Sequence, residues 1–257
     1  MARVSVLPLR TDARHDTDMK PSVAPATAIR DRMLARALQR ALLRGMREHP
    51  ELIVQPTGAP EVRLVGVDPI RALIIGSGIA LGYGVRTQRD ALTGALADAI
   101  QNGGARGVIV QNQATTQHEI EQTLDGVRLV GATTFNVVVW SPSLFDAFRS
   151  PERGRYHRTL MDGLQLIRET ARPGAQIIAC ELPSPTNRGP LEEIARVLVH
   201  RYNAALRRAV SVHPDVRVAE TPDFTSLADP AAFSADYYRR WADQIVHPDA
   251  VASARSA

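Results

Sequence analysis

Arg71-Ala-Leu-Ile-Ile-Gly-Ser-Gly-Ile-Ala-Leu-Gly-Tyr-Gly84 is the stretch on which the reading of the whole chain turns. Its first half, Ala72 to Ile75, is a short apolar run of the kind that forms a strand buried on both faces. Gly76, Gly78, Gly82 and Gly84 then permit a tight turn and a close backbone approach, and a helix is expected from about Arg89. In an open α/β sheet, ligands collect outside the C-terminal ends of the strands. Ser77 and Gly78 stand at that end, so the chemistry of this corner bears directly on function.

Downstream of the corner the pattern alternates. Strands are expected at Arg71–Ile75, Gly107–Gln111, Asn136–Trp140, Gln176–Glu181 and Asp215–Ala219. Between and after them, helices are expected at Arg89–Gln101, Thr116–Leu124, Arg155–Thr170, Leu191–Val212 and Ala232–Gln244. Such alternation predicts an α/β domain over 69–257, a three-layer α/β/α sandwich on a five-stranded parallel sheet. Upstream, residues 1–27 mix Arg, Asp, Pro, Ser and Thr without periodicity, and a disordered tail is expected. Residues 28–68 read as an Arg-rich helix and a linker. Within them Ile29, Met33, Ala37, Ala41 and Gly45 form one apolar row, with Leu34, Leu38, Leu42 and Met46 beside it. Arg32, Arg36, Arg40, Arg44 and Arg47 run down another face. This helix is expected to pack on the domain, on a second protomer or on a partner, or to meet an anionic membrane. Pro50 ends it, and Glu51 to Asp68 is expected as a linker or small hairpin.

Composition sets the bounds. The 257 residues suit one α/β core with appendages, and 44% hydrophobic with 23% charged residues is ordinary for a globular protein. Aromatics make up 5%, so Val, Ile, Leu and Ala must fill the core. A formal charge of +4 is too small to predict nucleic-acid binding. Cys180 is the lone cysteine, which excludes an intramolecular disulfide and a cysteine-based metal cluster; a buried, inert thiol is expected. Met1 to Arg10 lacks the apolar core of a secretory leader, and no apolar run approaches the ~20 residues of a membrane span, so a cytoplasmic protein is expected.

Four blocks in order resemble the SGNH (GDSL-type) hydrolases, a superfamily of esterases, lipases and acyltransferases. Ile74-Ile-Gly-Ser-Gly-Ile-Ala-Leu-Gly-Tyr-Gly-Val85 resembles the family's first block, where Gly-Asp-Ser-x-x-x-Gly-x-Gly follows the first strand. Asn112-Gln-Ala-Thr-Thr116 is similar to the second, in which a small residue offers a backbone N–H to the oxyanion. Val137-Val-Val-Trp-Ser-Pro-Ser-Leu-Phe-Asp-Ala147 occupies the place of the third, normally Gly-x-Asn-Asp. Asp243-Gln-Ile-Val-His-Pro-Asp249 resembles the last, usually Asp-x-x-His-Pro. The resemblance covers about Arg71 to Ala257 and implies a flavodoxin-like sheet, with acyl transfer through a Ser nucleophile, a His base, an orienting acid and oxyanion donors.

Carried over residue by residue, that machinery is incomplete. Gly78 falls on the nucleophile position and Ser77 on the preceding Asp. Ala114 takes the oxyanion glycine, which is tolerable because only its N–H is required. Phe145 stands where the oxyanion Asn belongs when Asp146 matches the family Asp; a shifted alignment puts Ser143 there. His247 is retained, but Gln244 sits three before it, with Asp243 one step early. Three coincident changes favour a degenerate site that binds or scaffolds. The alternative is a rewired serine esterase or acyltransferase acting on a small acyl ester, in which Ser77 attacks, His247 is the base and Asp243 holds it. Ser77 otherwise reads as a turn or N-cap hydroxyl, and His247 as a surface histidine. A third reading, from Gly76-x-Gly78-x-x-x-Gly82, is a dinucleotide fingerprint, opposed by the lack of an acidic residue after strand two. No cofactor and no metal are expected. Asp223, Asp229, Asp236 and Glu220 lack a ligand pattern, and His118, Glu119 and Glu121 lack the second histidine of a zinc helix. Tyr237, Tyr238 and Trp241 are expected in the core or as one wall of the pocket.

Overall fold

The structure is a computed structural model and describes residues 25–48, 54–102, 104–116, 132–142, 153–226, 229 and 232–248. Its elements run α1 (Pro25–Glu48), β1 (Glu61–Leu64), β2 (Val67–Gly76), α2 (Leu92–Gln101), β3 (Arg106–Asn112), β4 (Val137–Ser141), α3 (Arg153–Thr170), β5 (Gln176–Cys180), α4 (Pro190–Val210), β6 (Val216–Ala219) and α5 (Ala235–Val246). Single 3-10 turns cover Gly78–Leu81 and Ala132–Thr134. The predicted helix over 116–124 falls almost wholly outside the described residues, as do Ser143, Phe145, Asp146, His118, Glu119 and Glu121 and residues 1–24 of the predicted tail. Pro25 to Thr27, read as tail, open α1 instead.

The strands lie in the order β1-β3-β2-β4-β5-β6. The five expected parallel strands are β2 to β6, each bonded in parallel to its neighbour. Period-two alternation sends Leu73 and Ile75 to one face of β2 and Ala72 and Ile74 to the other. The first face meets Trp140, Ile177 and the buried sides of α1, α3 and α4, and the second meets α2 and α5. Both faces of the sheet are therefore dry, which is why the strands read as unbroken apolar runs.

The sixth strand, β1, falls in the stretch expected as a linker or small hairpin. β1 pairs antiparallel with β3, Glu61 opposite Gln111 and Leu64 opposite Val108. It forms no hairpin with β2, because β3 lies between them. To change sides, the chain crosses the start of β3 at Gly66, directly on Gly107. A Cβ on Gly66 would lie 2.2 Å from the Gly107 nitrogen, so only glycine allows the crossing.

The Arg-rich helix packs on α4, as expected of a helix that docks on the domain, through the second of the two predicted apolar rows rather than the first. Ala35 and Leu38 are fully buried and Leu34 half-buried, whereas Met33 and Ala37 of the main predicted row are exposed. At 100° per residue Met33 falls between Arg40 and Arg44, on the basic face. Burying it would desolvate guanidiniums, which costs more than one methionine gains.

Candidate functional site

Strand β2 ends in a corner built from residues that leave little freedom. Gly76 has φ +142°, and a Cβ there would meet the Ser141 carbonyl oxygen at 2.1 Å. Ser77, with φ −153° and ψ −177°, is still ordinary extended backbone. It bridges Thr115 in parallel, and its N–H donates to the Ser141 carbonyl at 3.3 Å. The chain turns only at Gly78, whose φ is +64°. The left-handed residue that begins the turn is thus Gly78 and not Ser77, the residue the rewired-esterase alternative needs as attacker.

Ser77 is 2% exposed, wedged between the ends of β3 and β4, and its hydroxyl has no hydrogen-bond partner among the described residues. It occupies the N-cap position of the Gly78–Leu81 turn without making the capping bond. His247 is exposed at the C-terminus of α5, its N–H donating to the Asp243 carbonyl at 2.7 Å. Asp243 is exposed and Gln244 buried. No hydrogen bond joins Ser77 to His247. The Ala114 N–H, expected to face an oxyanion, instead donates to Asn112 Oδ1 at 2.9 Å.

Two residues outside the predicted catalytic set brace the corner. Asn112, 4% exposed, donates from Nδ2 to the Ala80 carbonyl at 2.8 Å and to Thr93 Oγ1 at 3.1 Å while accepting from Ala114. It thereby ties the 3-10 turn, α2 and the loop after β3 together. Tyr238 sends its hydroxyl to the Tyr83 carbonyl at 2.8 Å and the Ile79 carbonyl at 3.1 Å. It is fully buried beside Tyr237 and Trp241, so the aromatic trio is core, and its tip fixes the glycine loop. A polar residue ending an apolar strand was the available signal for Asn112; nothing in the sequence paired Tyr238 with residues 79 and 83.

The remaining polar features lie further along the sheet edge. A cleft of about 230 Å³ beyond β5 and β6 is lined by Glu181, His200, Asn203, Arg207, Glu220 and Asp223, among others. Burial pushes the Glu181 carboxyl up, against the opposing pull of Arg207, whose Nε lies 2.5 Å away. Cys180 is fully buried and its thiol is pushed up to about 12 by burial, as an inert thiol requires. The dinucleotide reading fails on geometry. Only a four-residue 3-10 turn starts at Gly78, and the next helix in the chain, α2, starts at Leu92, so the fingerprint's helix does not open directly on the glycines to take a pyrophosphate.

Comparison with solved structures decides the architecture. The lipase Lip_vut3 from a goat rumen metagenome matches with a TM-score of 0.57 over 68% of this chain and 95% of its own, at 14% identity. The chain has the SGNH (GDSL-type) hydrolase fold. The lipase/acylhydrolase from Enterococcus faecalis superposes on that fold with a TM-score of 0.52 over 70% and 94% of the two chains, at 16% identity. A member of the lipolytic protein G-D-S-L family from Veillonella parvula gives 0.51 over 70% and 98%, at 14% identity. No family model matches the sequence, and no curated protein does. In this SGNH-type frame the corner after β2, the loop after β3 and the end of α5 are the three places where blocks one, two and four of the resemblance fall.

The isolated Ser77 hydroxyl makes a stability prediction. A buried, unbonded hydroxyl costs about 1–3 kcal/mol in lost hydration. Ser77→Ala is therefore expected to leave stability unchanged or raise it by about 1 kcal/mol, measured as the urea midpoint at constant slope. A loss of more than about 1 kcal/mol would mean that the hydroxyl holds a partner in solution.

Proposed function

We propose that this chain is an SGNH-fold protein that has given up acyl-transfer chemistry and serves as a binding or scaffold protein. The observation that carries the reading is the division of labour at the corner: the turn belongs to Gly78, which has no nucleophile, and the adjacent Ser77, extended just beyond the end of β2, is buried and makes no hydrogen bond to His247. Nucleophilic attack needs an exposed hydroxyl beside a base, which must itself be oriented. Neither condition is met, and the Ala114 N–H is already committed to Asn112. Loss of a nucleophile alone leaves only the residual 10³–10⁴-fold that binding and oxyanion contacts supply, and here the oxyanion donor is engaged as well.

A fluorophosphonate probe followed by intact-mass measurement tests this. No adduct is expected, and short p-nitrophenyl esters are expected to turn over at the same background rate with wild type, Ser77→Ala and His247→Ala. An adduct mapped to Ser77, with turnover abolished in both variants, would overturn the proposal in favour of a rewired esterase using Ser77 and His247. The unbonded state of the Ser77 hydroxyl is the one observation on the side of that second reading.

A further inference from the structure

The face of α1 that the fold leaves outside is a basic strip with apolar edges. Arg36, Arg40, Arg44 and Arg47 follow at spacings of four, four and three, one row covering about 16 Å of helix, and all four are exposed. Arg44 pairs with Glu48 at 2.7 Å, but Arg36, Arg40 and Arg47 have no ion-pair partner among the described residues. On the same face Met33 is 67% exposed and Leu43 39% exposed. The opposite face, with Ala35 and Leu38, is spent on the domain core. This row is thus held rigidly outward by packing that does not use it.

We infer that this face docks the protein on an anionic lipid surface. The charges complement acidic headgroups, and the flanking Met33 and Leu43 are what an interface takes up and an aqueous polyanion does not. The row carries no aromatic side chain on which a base could stack, which disfavours single-stranded nucleic acid. The docking is peripheral, because among the described residues no helix is long and apolar enough to cross a membrane. It does not depend on the state of the corner after β2.

The test is co-sedimentation of the full chain with equimolar phosphatidylcholine–phosphatidylglycerol vesicles and with phosphatidylcholine alone. Binding is expected only to the anionic vesicles. Most of it should be lost between 0.1 M and 1 M salt, as the screening length falls from about 10 Å to about 3 Å. Each arginine near such a surface contributes about 1 kcal/mol, so Arg36→Gln/Arg40→Gln should lower the partition coefficient roughly thirty-fold with an unchanged circular dichroism spectrum. Met33→Ser/Leu43→Ser should weaken vesicle binding as well, whereas Arg158→Gln/Arg172→Gln, exposed arginines at α3 and just beyond it, should not. Equal binding to neutral vesicles, none to either, or an undiminished Arg36/Arg40 variant would overturn the inference. Indifference to Met33 and Leu43, or tighter binding to duplex DNA at the same salt, would replace lipid with a soluble polyanion.

Discussion

Gly76→Ala is expected to abolish the folded state, or to leave it more than about 4 kcal/mol less stable. The methyl group would lie 2.1 Å from the Ser141 carbonyl oxygen and 2.9 Å from its carbon, and both belong to the backbone of β4. Nothing there can rotate away. Relief would require β2 and β4 to part where Gly76 pairs with Ser141, in the middle of the sheet. The φ of +142° adds a conformational cost that only glycine avoids. Gly174→Ala provides the matched comparison, since Gly174 also has positive φ, +79°, but a Cβ there meets nothing within 4 Å. That variant should lose only the roughly 1–2 kcal/mol of a left-handed alanine. Urea unfolding of the pair separates collision from conformation. Equal losses in the two would show that β4 yields at Ser141.

This glycine explains why the fold was legible where it was. A residue that must be glycine at the end of an apolar run leaves a mark in the sequence, and the doubly buried strands that follow leave runs of Val and Ile. The parallel order from β2 to β6 follows from those two signals. β1 leaves no comparable mark. Glu61-Val-Arg-Leu64 is short and lies at the sheet's edge, and its pairing depends on the crossing at Gly66, which is visible only once Gly107 is known to lie beneath it. One of the two apolar rows of α1, Leu34 and Leu38, does face inward, whereas Met33, set among arginines, is apolar in composition but wet in context.

The sequence blocks specified positions along the chain but not the state of the side chains there. The blocks around residues 77, 114 and 247 marked which ends of the elements to inspect. They could not indicate that Ser77 would stay extended and buried beyond the end of β2, because a shift of one residue along an extended chain reverses the side to which a side chain points. Nor could they indicate that Asn112 would take the Ala114 N–H. The corner keeps its glycines while its hydroxyl is buried and the Ala114 N–H is engaged, and Asn112 and Tyr238 brace it.

Asn112→Leu is expected to destabilise the protein by about 3–5 kcal/mol, the second large loss. Leucine fills nearly the same volume, so the loss measures hydrogen bonding rather than a cavity. Without the amide, the Ala80 carbonyl and the Ala114 N–H are both left without this partner, and an unsatisfied buried group costs about 1–3 kcal/mol. Thr93 also loses a neighbour, though it keeps its bond to Gln88 Oε1 at 2.8 Å. Tyr238→Phe removes one shared hydroxyl from the same loop and should cost less, about 1–2 kcal/mol. Because both side chains hold residues 79–83, their effects should not add. If Asn112 and Tyr238 acted on independent structures, the double variant would show the plain sum of the single losses. A sum smaller or larger by more than about 0.5 kcal/mol is the signature of one braced corner, and the freed Ala114 N–H is then the place to look for any return of anion binding.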